Sequence, residues 1–142
     1  MTSAYALTIE LPQPLAGAID TLRAALAAEQ MGIVSEVDVQ ATLKAKLGLD
    51  SHPQRPLGIC SPKVAHAILS AEADMGAMLP CGCGVCEAHP GVTRIAPQDP
   101  AVIAAATVNE AVQAACDLHD GAPFNRSVLR SVYGSHHQGN AT

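Results

Sequence analysis

The chain has no tryptophan, one phenylalanine and two tyrosines in 142 residues, so aromatics make up only 2% of it. Binding by stacking bases on aromatic side chains is thereby excluded. Basic residues are also few: 8 Lys and Arg stand against 13 Asp and Glu, for a formal charge of -5. Phosphate backbones are held by clustered cations, so nucleic acid does not suit this composition. No stretch reaches the roughly 18 uninterrupted apolar residues of a membrane span. Residues 1–11 alternate like a strand, where a leader would carry a basic end and an apolar run. These absences predict a soluble cytoplasmic protein with neither a nucleic-acid nor a membrane partner.

What is present is a chain that is 49% hydrophobic, whose core must be built from Leu, Ile, Val, Met and Ala. Its length suits one domain that buries a single core without disulfides or a structural metal. We read residues 1–134 as that domain and residues 135–142 as a disordered polar tail. There are 5 cysteines. An odd number in a reducing compartment points to thiols, catalytic groups or metal ligands rather than a disulfide framework.

Tyr5, Leu7, Ile9 and Leu11 alternate with polar or small residues and predict a first strand. Helical spacing follows in Leu15, Ile19, Leu22, Leu26 and Met31, with Gly32 placed as a C-terminal cap. Ile33, Ser35, Val37 and Val39 read as a second strand, and residues 40–47 as a short helix closed by Gly48. Residues 50–56 read as a surface loop with a solvated Arg55. Residues 57–60 form a short inner strand, and Ser61-Pro62 is a helix start in which the hydroxyl caps and proline takes the first turn. Residues 81–88 and 92–96 make a hairpin around His89-Pro90-Gly91. Asp99-Pro100 opens a helix running toward His119, with room for a break, and Val128, Leu129 and Val132 mark a last helical turn.

The stretch richest in chemistry is Leu79-Pro80-Cys81-Gly82-Cys83-Gly84-Val85-Cys86-Glu87-Ala88-His89, and Gly58-Ile59-Cys60-Ser61-Pro62 is the second cysteine locus. The order of elements, with Tyr5-Ala6-Leu7, Gly32-Ile33-Val34-Ser35-Glu36-Val37, Leu57-Gly58-Ile59-Cys60-Ser61-Pro62, Leu79-Pro80-Cys81 and Asp99-Pro100, resembles the DUF302 family, a widespread bacterial family of unknown function. The resemblance implies an α+β fold similar to that of the TATA-binding protein, with a mixed or antiparallel sheet packed by helices, and a homodimer. It implies no reaction. Cys60 and Cys81 match the family's pattern, whereas Gly82-Cys83-Gly84-Val85-Cys86 departs from its more usual β-branched strand.

Three functional readings follow. Thiolates from Cys60, Cys81, Cys83 and Cys86 would form a tetrahedral zinc site, with His89 as a ligand in a mixed set; two or three of them would suit Cu(I), and the cluster equally suits a related small thiophilic cofactor. In a regular strand Cys81 and Cys83 share a face and Cys86 takes the other, so one ion for all three needs a bend after Cys83, which Gly82 and Gly84 make cheap. The second reading is a thiol-disulfide or persulfide enzyme in which Cys60, with a helix starting behind it, is the low-pKa sulfur and Cys81 resolves it. The third is a dimeric interaction module whose cysteines are small core residues. Cys116, on an alanine-rich helix face, is read as core.

Overall fold

Five strands join into a single sheet, and in the two longest of them buried residues alternate with more exposed ones, which gives the sheet one covered face. In the computed structural model, which describes residues 4–116, 128–130 and 132, these are β1 (Ile9–Leu11), β2 (Gly32–Glu36), β3 (Leu57–Cys60), β4 (Cys81–His89) and β5 (Val92–Pro97). Their spatial order is β1-β5-β4-β3-β2 and every neighbouring pair is antiparallel. The helices are α1 (Leu15–Ala28), α2 (Val39–Leu47), α3 (Pro62–Ala71), α4 (Pro100–Ala105) and α5 (Glu110–Cys116), with a 3-10 helix at Ala73–Met78. This is the expected α+β class, a sheet packed by helices.

The register puts Leu57 opposite Cys83, Ile59 opposite Cys81 and Val85 opposite Ile95, and all six side chains are buried. Onto this face pack Ile19, Leu22 and Leu26 of α1 and Ile68 of α3, continuous with Ile103, Val112, Val128 and Val132. The last two match the final helical turn read from the sequence. Thr93 is fully buried on the same face, and its hydroxyl donates to the Gln13 carbonyl at 2.8 Å. The other face carries Gly82 and Gly84, both exposed, and half-buried Cys86. Among the described residues no helix is long and apolar enough to cross a membrane.

Several boundaries differ from expectation. The first strand is only three residues long, because β1 is an edge strand with β5 on one side, and Tyr5 is left 67% exposed. Helix α1 stops at Ala28, with Gln30 in the left-handed region (φ 58), so Gly32 is the first residue of β2 rather than a cap. A bulge between Ile33 and Ser35 turns the rest of β2 outward. Asp38 then leaves the strand to cap α2, its Oδ1 accepting from the Ala41 N–H at 2.9 Å. Arg55 keeps a third of its side chain exposed and also pairs with Glu36 at 3.1 Å and Asp38 at 3.5 Å, tying the loop to the sheet edge. The helix after Asp99 does break, because Asn109 Oδ1 accepts from the Ala111 N–H at 2.9 Å and starts α5 afresh. The expected tail, His119 and residues 120–123 lie outside the described residues.

Gly58 and Gly82 face each other across β3 and β4, yet their surroundings differ. A Cβ at Gly58 would collide with Ser35 Oγ and lie 2.7 Å from Pro80 Cγ, whereas one at Gly82 would meet nothing within 4 Å. The serine can rotate away and the proline ring cannot. Gly58→Ala is therefore expected to lose about 1–3 kcal/mol of stability, and Gly82→Ala to stay within about 0.5 kcal/mol of the parent or gain slightly. Urea midpoints at constant slope measure both.

Candidate functional site

The sequence offers sulfur as its distinctive chemistry, and the sheet decides where each sulfur goes. Strand β4 is the middle of the five, hydrogen-bonded to β3 and β5, with unbroken pairing to β5 from Cys83 to Glu87. The loop before β3 adds to it: Arg55 N–H donates to the Val85 carbonyl at 2.7 Å and Glu87 N–H to the Pro53 carbonyl at 2.9 Å. A strand held on both edges keeps its two-residue alternation. The bend expected after Cys83 does not occur, and the only irregularity in the pairing with β5 lies further on, between Glu87 and His89.

The five candidate ligands consequently separate. Cys81 and Cys83 point into the core at 3% and 2% exposure. Cys86 points to the opposite face and, with His89, His52, Glu10 and Arg94, lines an open groove of about 590 Å³ at the hairpin end. Five residues of extended chain separate Cys81 from Cys86, roughly 17 Å, while sulfurs sharing one ion lie within about 4 Å of each other. A single site from Cys60, Cys81, Cys83 and Cys86 is not assembled. Among the described residues no three His, Cys, Asp or Glu side chains are gathered into a metal-binding group. Cys83 lies within the hydrophobic core cluster and lines neither the Cys86 groove nor the Cys60 cavity.

Cys60 and Cys81 are brought together. Ile59 pairs directly with Cys81, which puts the Cα atoms of residues 60 and 81 roughly 6 Å apart. Both residues line a small cavity of about 10 Å³ whose other walls are Ile59, Ser61, Val64, Ala65, Ile68 and Leu79. Cys60 is half-buried and Cys81 fully buried, and neither is in a disulfide.

The third thiol, Cys116, is core as the sequence reading had it, 2% exposed and within the hydrophobic cluster. Cys116 ends α5, and its neighbour Ala115 lines a second cavity, of about 110 Å³, that shares Ser61 and Val64 with the first. The thiol of Cys81 is pushed up to about 12 by burial first, then by Cys116, then by Cys60. The packing of α5 on α3 buries Cys116.

Ionisation of these thiols is suppressed. The Cys60 thiol is raised by burial rather than lowered by the helix behind it. The Ser61 hydroxyl takes the first-turn amide, accepting from the Val64 N–H at 3.4 Å, so that donor serves the cap and not the sulfur. Cys83 is pushed up to about 12 by burial, with a weaker lowering from a backbone hydrogen bond to Ala96.

The sequence profile of a family described as "Domain of unknown function DUF302" matches residues 7–121. Among solved structures, the crystal structure of an uncharacterized conserved protein DUF302 from Bacillus stearothermophilus superposes with a TM-score of 0.76 at 23% identity. The match covers 92% of this chain and 98% of that one. None of the curated proteins compared matches the chain.

Two expectations follow from the thiols. In the folded protein, maleimide labels Cys60 and Cys86, whereas Cys81, Cys83 and Cys116 label only after denaturation; mass mapping of labelled peptides checks this. Cys81 and Cys83 stay protonated in the folded state up to about 12, while the unfolded thiols ionise near pH 8.5. Their contribution is therefore complete below that pH and is lost as pH rises toward 12. In denaturation series from pH 9 to 11, Cys83→Ala is expected to make the fall in stability shallower by about 1.4 kcal/mol per pH unit.

Proposed function

The chain belongs to the DUF302 family, and since that membership brings no reaction with it, we propose from the chain's own residues that the protein binds a soft, thiophilic metal ion through Cys60 and Cys81. The observation behind this reading is that Cys60, half-buried, and Cys81, fully buried, line one small cavity with walls that are otherwise aliphatic apart from Ser61. Sulfur donors select Cu(I) over hard cations. Two of them suffice for Cu(I), whereas a structural zinc site needs four ligands.

The suppressed ionisation supports ion capture over nucleophilic catalysis. A thiol raised by burial is a poor attacking group at neutral pH. A soft cation instead replaces the proton on sulfur and brings the positive charge that buried thiolates lack. The expected homodimer is retained in this proposal as the assembly that presents the site, with no residue of a second copy needed to complete it.

Anaerobic titration with Cu(I) against a competing chromophoric chelator tests the reading. One ion per chain is expected, with apparent affinity rising about 100-fold per pH unit between pH 6 and 8 as two protons are released. Cys60→Ser and Cys81→Ser should each weaken binding at least 100-fold, and a Cys83→Ser, Cys86→Ser double variant should bind as the parent does. Equal binding by the Cys60 variant and the parent would remove the proposal.

A further inference from the structure

The open face of the sheet carries a second group of reactive side chains, apart from the cavity at Cys60, and three local devices gather it around half-buried Cys86. Cross-strand pairing is the first. Cys86 stands opposite Arg94 on β5, and Arg94 opposite Glu10 on β1, so the three side chains form one row with paired Cβ atoms about 5 Å apart. The bulge between Glu87 and His89 is the second. In an unbroken strand His89 would share the covered face with Val85; the extra residue moves it to the face of Cys86. Third, the loop before β3 is fastened to β4, with Gln54 bridged to Cys86 and the Pro53 carbonyl accepting from the Glu87 N–H at 2.9 Å, and this holds His52 beside the same row. All of these side chains line one groove of about 590 Å³.

The groove offers charge of both signs next to a thiol. Arg94 meets Glu10 only at 3.8 Å, with a third of its own side chain exposed. A long ion pair on a solvated face is weak, so the guanidinium is available to a ligand carboxylate, and Glu10 and Glu87 are available to an ammonium group. A partly exposed cysteine beside a cation is the setting in which thiols react. The groove volume falls in the range of small-molecule sites, roughly 300–1,000 Å³. The other half-buried thiol, Cys60, has neither feature: its cavity is about 10 Å³, and among the described residues no charged side chain lines it.

We propose that Cys86 is a modification site for low-molecular-weight thiols of the amino-acid type, which it takes from their disulfides as a mixed disulfide while the groove holds their carboxylate and ammonium ends. The Cys86 thiol gives its proton to solvent and its sulfur attacks one sulfur of the small disulfide. The small S–S bond breaks, a new S–S bond joins Cys86 to one half, and the other half leaves as a thiolate that takes up a proton. The Cys86 sulfur is oxidised by as much as the leaving sulfur is reduced, and a second small thiol reverses the step. The groove shares no lining residue with the cavity of Cys60 and Cys81, so this site stands whether or not that pair binds an ion.

The test compares two disulfides on the reduced, metal-free full chain: oxidised glutathione, which carries carboxylates and ammonium groups, and bis(2-hydroxyethyl) disulfide, which carries no charge. Samples are quenched in acid at intervals, digested and mapped by mass spectrometry, so that modification of Cys86 and of Cys60 is read in the same tube. The ratio of the Cys86 rate to the Cys60 rate is expected to be at least fivefold higher with glutathione than with the neutral disulfide. Arg94→Gln, which removes the charge and leaves the difference in size between the two reagents, should bring that excess below twofold. A smaller excess in the parent, or an excess of twofold or more in Arg94→Gln, overturns the proposal.

Discussion

A strand bonded along both edges cannot choose where its side chains point. Strand β4 is in that position, and the placement of its three sulfurs follows from it: Cys81 and Cys83 go to the covered face and Cys86 to the open one. Glycine at 82 and 84 gives the chain freedom to bend, but using that freedom would break ladder bonds on two sides, each worth about 1 kcal/mol and costing more if left unmade. The ladder wins over the local flexibility. Sulfur density in the sequence is thus divided by the sheet into a buried thiol with no role in the cavity, a thiol on an open groove and a thiol facing the end of β3.

At that end a second competition is settled. A helix starting behind a cysteine commonly lowers its pKa, and α3 starts directly after Ser61. Burial acts in the other direction and prevails at Cys60, helped by a cap that occupies the amide of Val64. The same Ser61-Pro62 pair that makes α3 begin cleanly therefore leaves the neighbouring sulfur protonated.

Much of this could be read from the residues alone. The inner strand ending at Cys60, the capped start of α3, Gly48 closing α2, and the hairpin around Gly91 all follow from local chemistry, as does the shared face of Cys81 and Cys83. What escaped the sequence depends on contacts between distant segments. Gln30 takes the left-handed position that Gly32 seemed made for, because Met31 is drawn into the core immediately after it. The bulge in β2 answers to its pairing with β3.

The position of Cys81 also bears on timing. It is the first residue of β4, directly after Pro80 and the 3-10 helix at Ala73–Met78, whereas Cys83 sits two residues further in, where both neighbouring strands are engaged. Uncovering Cys81 needs only fraying of a strand end, but uncovering Cys83 needs the sheet to part. Exposure of the Cys81 thiol to solvent can accordingly run on the clock of local opening, microseconds to seconds, while the rest of the molecule stays shut.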